Sequence, residues 1–241
     1  MTTDWTYIGT LIGIRRFAMK SAAGQELPSA KLGWHGLHGD RQFALHRTDD
    51  LSGLPWASAR DFPQLLSWSA YLDESGQLVV EAHEERWEVD LRRPESRLAF
   101  NLWASDILGT PVTLMSLWAG TFDAMPLSII STDSLSAFAT QIGRSGLSAA
   151  RFRANLTVDT QGRREWPERK WVGRELRIGE QVVVRLDRHT TRCEIINFDE
   201  HGMSDGDLFS GIRLANNNRA GVYATPVRVG VVHVGAMVYI R

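Results

Sequence analysis

The stretch Glu175-Leu-Arg-Ile-Gly-Glu-Gln-Val-Val-Val-Arg-Leu-Asp-Arg-His-Thr-Thr-Arg-Cys193 contains two strand-like segments separated by a Gly-Glu turn. Alternating and β-branched residues on both sides of a glycine turn predict a β-hairpin. Its second strand runs on into Cys193, the only cysteine among the 241 residues. The stretch therefore predicts a β-rich fold in which the single thiol follows a strand.

Positive charge surrounds this cysteine in the sequence. Arg185, Arg188, His189 and Arg192 all precede it closely. Nearby cations stabilise a thiolate, which is the form that attacks electrophiles or binds soft metals. A single cysteine is also compatible with a small core residue. The surroundings favour a ligand role for Cys193.

A cysteine hydrolase is an alternative, with His189 or His201 as the base. However, His189 lies only four residues before Cys193 on the same strand-and-turn path. No glycine-rich elbow or oxyanion-hole signature accompanies the cysteine. A metal site formed by His35, His38 and Asp40 is another alternative. Two histidines in a glycine-rich turn are more often ordinary loop residues, and no fourth ligand is evident.

Composition limits the classes of function. The chain carries 27 basic and 28 acidic residues, a net charge of −1, so no global basic field would attract nucleic acid or anionic lipid. One cysteine excludes an intramolecular disulfide and a Cys-x-x-Cys metal site. No segment approaches membrane-spanning length, and the first residues do not resemble a secretion signal. We expect a cytoplasmic protein with no nucleic acid or membrane partner.

Short strands separated by turns predict a mainly β (α+β) protein with few helices, built on a closed or nearly closed barrel. A composition shift near residues 119–126 predicts two domains, residues 5–118 and 119–241. In the first domain we expect short strands, including strands within residues 98–117, and no long helix. The other predicted strands span residues 7–14, 42–46, 65–73, 77–82, 85–91, 151–158, 175–178, 181–186, 221–223 and 227–240.

The clearest helix follows the domain boundary. Ser131 or Thr132 can cap it, and Leu135, Phe138 and Ile142 recur at helical spacing before a glycine. Beyond this helix, residues 151–158 alternate strictly between two kinds of side chain. Such alternation predicts a strand that presents two arginines and an asparagine on one face, where they suit an anion. With other loop donors, these residues suggest a phosphate-bearing cofactor beside a thiolate: Lys20, Ser21, Arg41, Arg60, Arg153 and Asn155.

Six short motifs in the same order resemble a known family. The chain is similar to molybdenum cofactor sulfurase C-terminal (MOSC) domain proteins that carry an N-terminal MOSC-associated β-barrel domain. That subgroup includes the mitochondrial amidoxime reducing component and its bacterial relatives. The resemblance covers nearly the whole chain and rests on Phe17-Ala-Met-Lys20-Ser21, Gly39-Asp40-Arg41, Ser58-Ala-Arg60, Leu127-Ser-Ile-Ile-Ser131, Arg151-Phe-Arg153-Ala-Asn155 and Thr191-Arg192-Cys193.

The resemblance implies a MOSC-type β-barrel preceded by a smaller β-rich domain, and a bound molybdenum cofactor (molybdopterin). Cys193 would be the molybdenum ligand and the catalytic residue. The other residues implied to bind the cofactor are Lys20, Ser21, Arg41, Ser131, Arg153, Asn155, Thr191 and Arg192.

The implied activity is that of a molybdenum-dependent oxidoreductase that reduces small N-hydroxylated compounds such as hydroxylamines and amidoximes. The bacterial relatives can carry a fused ferredoxin-like domain, whose cysteines this sequence lacks. We therefore expect a separate electron donor resembling a ferredoxin, a cytochrome b5 or a flavin reductase. The alternative is a carrier of the molybdenum cofactor or of sulfur that has no redox turnover of its own.

Overall fold

The computed structural model describes residues 4–118, 120–122, 124–162 and 164–241. Within these residues the chain forms sixteen β-strands and three α-helices, joined in places by short 3₁₀ turns. The predicted mainly β class with few helices is confirmed. The predicted domain boundary falls at Ala119, which lies outside the described residues.

The strands and helices are numbered in chain order. The first half of the chain contains Thr6–Arg16 (β1), Gln25–Glu26 (β2), Ser29–Gly33 (β3), Gly36–Leu37 (β4), Phe43–Arg47 (β5), Ser69–Leu72 (β6), Leu78–Ala82 (β7), Glu85–Val89 (β8), Pro94–Leu108 (α1) and Val112–Ser116 (β9). The second half contains Leu127–Ser131 (β10), Thr132–Gln141 (α2), Leu156–Asp159 (β11), Glu175–Ile178 (β12), Val182–Thr191 (β13), Leu208–Asn216 (α3), Arg219–Arg228 (β14), Gly230–His233 (β15) and Met237–Ile240 (β16).

Seven strands close into a barrel. Their order around the sheet is β11, β10, β14, β13, β12, β16 and β1, and β1 pairs back with β11. Neighbouring strands are antiparallel except for β10 and β11. The first strand of the chain is therefore part of the same barrel as the strands of the second half.

Alternation explains the barrel interior. In β13, Val184 and Leu186 are fully buried, whereas Arg185 between them is exposed. Period two sends alternate side chains to opposite faces, so one face of each barrel strand supplies the core. The core also receives Leu11 from β1 and Val222 from β14. The hairpin predicted around the Gly-Glu turn is confirmed as β12 and β13.

A second core lies in the first half of the chain. It is enclosed by two small sheets, β5 with β9 and β6 to β8, and by helix α1. Its largest fully buried side chains include Trp68 and Phe100. A further small sheet combines β3 and β4 with β15, and so joins the two halves of the chain.

The prediction that the first half lacks a long helix is wrong. Helix α1 occupies 15 residues, where short strands were expected. Its buried side chains are Phe100, Ala104 and Leu108, which recur every four residues along one face. Pro94 starts the helix, and Gly109 ends it in the left-handed conformation, as helix ends commonly do.

The predicted helix after the boundary is confirmed as α2, with Ser131 rather than Thr132 as its cap. The Ser131 side chain accepts a hydrogen bond from the Ser134 backbone N–H at 3.1 Å. Helix α3 was not anticipated, and it packs beside α2. None of the helices among the described residues combines the length and apolar character needed to cross a membrane.

The prediction of one continuous strand over residues 151–158 is also wrong. Ala149–Phe152 forms a 3₁₀ turn, and Arg153 adopts the left-handed conformation at a φ of 50°. Ser148 caps the turn by accepting a hydrogen bond from the Ala150 N–H at 3.2 Å. Only β11, from Leu156, continues as a strand. Arg151 and Arg153 therefore belong to a turn and not to the face of a strand, and Asn155 is buried.

Candidate functional site

Cys193 lies two residues after β13 and directly before the 3₁₀ turn Glu194–Asn197. Its side chain is partly buried and borders a cavity of about 370 Å³. Six consecutive residues, 188 to 193, line this cavity. A regular strand would turn every second side chain away, but the pairing of β13 with β14 shifts register after Leu186 and again after His189. Such bulges redirect side chains beside functional sites.

The cavity is strongly cationic. Its described lining residues include no aspartate or glutamate. A concave surface with charge of one sign concentrates ions of the opposite sign, and arginine and lysine are the usual donors to phosphate. The cationic lining residues are Lys20, Arg41, Arg60, Arg151, Arg153, Arg188 and Arg192.

Arg192 is held by backbone carbonyl groups next to Cys193. Its Nε donates to the Ala220 oxygen at 2.9 Å, its Nη2 donates to the same oxygen, and its Nη1 donates to the Phe152 oxygen at 2.5 Å. Burial lowers the pKa of Arg192 to about 10, so the side chain remains protonated at neutral pH. Since these donors are engaged by the protein, Arg192 fixes the backbone around the ligand position.

Arg41 and Arg153 come from opposite halves of the chain and meet at Phe17. Their guanidinium carbons lie 4.7 and 4.3 Å from the centroid of this ring, which is within cation–π range. Arg41 Nη2 also donates to the Arg153 carbonyl oxygen at 3.1 Å, and Arg41 Nη1 pairs with the buried Asp40 at 2.5 Å. The two side chains are therefore positioned as one unit in the cavity wall.

Lys20 and Ser21 line the same wall from the loop after β1. The Lys20 backbone N–H donates to the Phe43 carbonyl oxygen at 2.7 Å. The Ser21 hydroxyl accepts from the Ala59 N–H at 2.9 Å, which ties this loop to the neighbouring Arg60. All six of the sequence motifs thus contribute residues to the lining of one cavity.

Asn155 and Ser131 do not belong to the cavity lining. The Asn155 oxygen accepts from the Ser128 N–H at 3.1 Å and from Arg41 Nη1 at 3.4 Å. Its amide nitrogen donates to the Arg15 carbonyl oxygen at 3.2 Å. Asn155 therefore joins the two halves behind Arg41, while Ser131 is a helix cap. Their roles in cofactor binding remain predictions.

His189 and Thr191 line the cavity, and His201 lines a different one. Burial and the neighbouring Arg219 and Arg169 lower the pKa of His189, so its imidazole is mainly neutral at neutral pH.

The alternative metal site at His35, His38 and Asp40 is not supported by the structure. Asp40 is engaged by Arg41. The described residues contain no group of three His, Cys, Asp or Glu side chains suited to a metal ion.

Two residues of the site, Tyr223 and Glu168, were not predicted from the sequence. Tyr223 lines the cavity because β14 pairs it with Arg188, whose guanidinium carbon lies 5.9 Å from its ring centroid. Glu168 is a buried carboxyl behind the site, and it accepts from the Ser131 N–H at 2.7 Å and from the Ser134 hydroxyl. No local pattern marks either residue, since both depend on contacts between distant segments.

The fold and the site define a class: a β-barrel protein with an anion-binding cavity that contains one soft sulfur ligand. A phosphate-bearing cofactor that coordinates its metal through thiolate sulfur fits this donor set, because the cations suit phosphate and the thiol suits a soft metal.

Two family models identify the class more closely. The MOSC domain matches residues 105–239, and the MOSC N-terminal beta barrel domain matches residues 8–113. The chain therefore belongs to the MOSC domain family, which is associated with binding of the molybdenum cofactor. This confirms the resemblance to MOSC domain proteins that carry the N-terminal β-barrel domain. No curated protein matches the chain at a significant level.

Solved structures with similar folds include the YuaD protein from Bacillus subtilis. It is 12% identical, with 98% of each chain covered and a TM-score of 0.50. YiiM from Geobacillus stearothermophilus is 18% identical over 48% of this chain and 54% of its own, with a TM-score of 0.38. YiiM from Escherichia coli is 16% identical over 51% of this chain and 57% of its own, with a TM-score of 0.37. At these identities the YuaD likeness concerns the fold alone.

Proposed function

We propose that this protein binds the molybdenum cofactor with Cys193 as the metal ligand, and that it reduces small N-hydroxylated compounds. The observation that carries the proposal is the cavity of about 370 Å³, in which cations surround the chain's one thiol and the described lining includes no carboxylate. The reaction would be R–NHOH + 2H⁺ + 2e⁻ → R–NH₂ + H₂O. When bound, the cofactor would supply the two-electron redox chemistry.

The residues of the site would bind and position the cofactor. Lys20, Arg41, Arg60 and Arg153 would bind the phosphate and orient the cofactor by charge-assisted hydrogen bonds. Ser21 and Thr191 line the same surface. Arg192 would keep Cys193 directed into the cavity, Asn155 would act on the cofactor through Arg41, and Ser131 would act through the end of β10.

Proton delivery rests on His189 and water. His189 lines the cavity, and because its pKa is lowered, its imidazole would readily release a proton that it has taken up. The leaving hydroxyl needs a proton to depart as water, and the described lining offers no carboxylic acid for this step. Protons would therefore reach the site from solvent by way of His189.

Electrons would come from a separate donor protein. The 241 residues contain one cysteine, so they do not supply the cysteine set that an iron–sulfur cluster needs. A donor resembling a ferredoxin, a cytochrome b5 or a flavin reductase would fit the reaction. We further propose a cytoplasmic location, where a reducing environment would keep the thiol available.

The scarcity of acidic groups in the cavity also favours a second candidate. A carrier of the molybdenum cofactor or of sulfur would need the same cations and the same thiol, but no proton donor for a leaving group. This candidate predicts cofactor binding without reduction of any N-hydroxylated compound.

The test uses protein purified from a host that makes the molybdenum cofactor. Molybdenum and pterin per chain are measured beside hydroxylamine reduction by a dithionite-reduced viologen dye. We expect near-stoichiometric cofactor and turnover in the parent protein, and neither full metal loading nor turnover in Cys193→Ala. Met203→Ala is the control, because it removes another sulfur-containing side chain that is 66% exposed and outside the cavity lining.

The outcomes separate the candidates. Loaded parent protein that does not reduce hydroxylamine with the dye would identify the carrier. Parent protein that stays free of molybdenum and pterin would overturn both candidates, and labelling of Cys193 by an acyl electrophile would then be the test for a hydrolase.

A further inference from the structure

A second cavity, of about 250 Å³, adjoins the cavity that contains Cys193. The two cavities share Arg151, Arg153 and Ile195 in their linings. Ile195 is only two residues beyond Cys193. A molecule in the second cavity would therefore lie close to Cys193.

Apolar side chains from both halves of the chain contribute to the walls of the second cavity. Phe17 and Leu66 belong to the first half, and Ile195 and Phe198 belong to the second. Small-molecule sites are typically clefts with apolar walls and a few polar groups, and the second cavity, at about 250 Å³, is slightly smaller than the roughly 300–1,000 Å³ that is usual for them. The size and lining suit a single aromatic ring or a short alkyl body.

The second cavity carries carboxylates, which the described lining of the first does not. Asp199 and Glu200 both line it. The Asp199 carboxylate accepts from the backbone N–H groups of His201 at 2.9 Å and of Met203 at 2.8 Å, which fixes the loop. Within the described part of the chain, no ion pair joins Asp199 or Glu200 to a cation. Their negative charge is therefore available to a ligand.

The arginines of this lining are already engaged. Arg151 Nη2 pairs with Asp205 at 2.6 Å, and its Nη1 donates to the Ile196 carbonyl oxygen at 2.9 Å. Arg15 pairs with Glu26. Arg153 donates to the Ala22 carbonyl oxygen at 2.7 Å and also faces the first cavity, where the cofactor phosphate would take up its charge. Arg144 pairs with the same Asp205 at 2.5 Å, so positive charge remains in the lining beside the two carboxylates. A cationic substituent would be paired only where it reaches Asp199 and Glu200, on the loop after Phe198.

The loop that carries these carboxylates is closely packed. Gly202 has a φ of +76°, and a Cβ atom there would lie 2.7 Å from the Pro63 carbonyl oxygen. The loop thus rests against the 3₁₀ turn Pro63–Ser67 of the first half. This contact holds Asp199 and Glu200 in place beside the cavity.

We propose that the second cavity binds the body of the substrate, and that Asp199 and Glu200 select compounds with a cationic substituent. The inference rests on the proposed function and assigns its substrate class: one-ring or short alkyl N-hydroxylated compounds with a cationic substituent. The N-hydroxyl group would point past Ile195 toward Cys193.

The test compares three aryl hydroxylamines that differ only in one substituent: 4-aminomethyl (cationic), 4-methyl (neutral) and 4-carboxylate (anionic). The cofactor-loaded parent is compared with Asp199→Asn/Glu200→Gln, in which the amides keep the shape of the side chains. Binding of the three matching anilines, measured by ligand-observed NMR, gives a readout that needs no turnover. The control variant is Glu74→Gln/Glu84→Gln, which makes the same change of net charge at two exposed sites in the first half.

We expect the double variant to lose about fivefold or more in kcat/KM and in affinity for the cationic compounds, with little change for the neutral ones. The control variant should behave like the parent. Equal effects on cationic, neutral and anionic compounds would overturn the inference. Hydroxylamine itself is too small to need the second cavity, so its reduction reports on the proposed function separately. The aniline binding tests the charge selection even if no compound is reduced.

Discussion

Arg192 and Ala220 are joined by two hydrogen bonds beside the ligand position. Both Nε and Nη2 of the buried guanidinium donate to the Ala220 carbonyl oxygen, with the Nε contact at 2.9 Å. The contact ties the end of β13 to the start of β14. A side chain next to the thiol, implied at first to bind the cofactor, is thus also part of the framework that positions the site.

We predict that Arg192→Lys lowers the free energy of unfolding by about 1–3 kcal/mol, because the compact ammonium group lacks the planar, spread donors with which the guanidinium reaches both the Ala220 and the Phe152 carbonyl oxygens. Molybdenum content should fall as well. Urea unfolding at pH 7 measures the first effect. Arg185→Lys is the control, because Arg185 lies on the preceding strand β13, is exposed and pairs with Asp187 at 2.7 Å. Equal losses in the two variants would contradict the prediction.

Gly221 allows β14 to pass close to both β10 and Arg192. Its φ is +83°, and a Cβ atom there would lie 2.6 Å from the Ile129 carbonyl oxygen and 3.3 Å from Arg192 Nη2. We predict that Gly221→Ala costs more than the roughly 1–3 kcal/mol expected from backbone strain alone.

Gly76→Ala is the matched control for this substitution. Gly76 has a φ of +81° in a turn, and a Cβ atom there would meet no other atom within 4 Å. Urea unfolding of the two variants separates strain from steric contact. A loss of stability no greater for Gly221→Ala than for Gly76→Ala would refute the close approach.

Local patterns were sufficient to predict some elements. The hairpin around Gly179 follows from β-branched residues beside a glycine turn, and α2 follows from Ser131 and its helical spacing. Both signals lie within a short stretch of sequence. The motifs at Lys20, Arg41 and Cys193 line one cavity. Without the structure, only the resemblance to a family predicted that they belong to one site.

Other features depend on tertiary contacts. In α1, Leu98 is 58% exposed and Leu102 is 64% exposed, so apolar side chains on more than one face conceal the helical period. The alternation of residues 151–158 is present in the sequence, but the left-handed Arg153 interrupts it. Contacts of Arg41 with the Arg153 carbonyl oxygen and with Asn155 stabilise that turn. A local pattern does not contain such long-range contacts.

Asp40 connects Arg41 to the backbone of Phe17. Its Oδ1 accepts from the Phe17 N–H at 2.7 Å, and its Oδ2 pairs with Arg41 Nη1 at 2.5 Å, with the Asp40 side chain fully buried. We predict that Asp40→Asn lowers the free energy of unfolding by about 3 kcal/mol, because it leaves a partly buried guanidinium without its counter-charge. Cofactor content should fall with it.

The matched control is Asp90→Asn. Asp90 pairs at 3.2 Å with Arg92, whose side chain is 90% exposed, so solvent screens this pair and it should contribute little to stability. Urea unfolding measures both variants. A loss for Asp40→Asn as small as that for Asp90→Asn would show that the pair with Arg41 does not stabilise the fold.

Glu168 should make stability depend on pH. Burial raises its pKa above the usual value of 4.5, although the Ser134 hydroxyl and the Ser131 N–H both donate to the carboxyl. A carboxyl whose folded pKa is raised contributes stability that is present below its unfolded pKa and is lost as pH rises through the folded pKa. The parent protein therefore carries a growing cost at this residue as pH rises above 4.5.

Glu168→Gln does not titrate, and its amide can still accept from the Ser131 N–H and donate to the Ser134 hydroxyl. We predict that the stability of this variant relative to the parent increases between about pH 5 and pH 8 in urea unfolding. The neighbouring Glu165→Gln, at an exposed position, should show no such trend. A relative stability of Glu168→Gln that falls as pH rises would mean that the folded protein favours the ionised carboxylate, because its hydrogen bonds then outweigh the cost of burial.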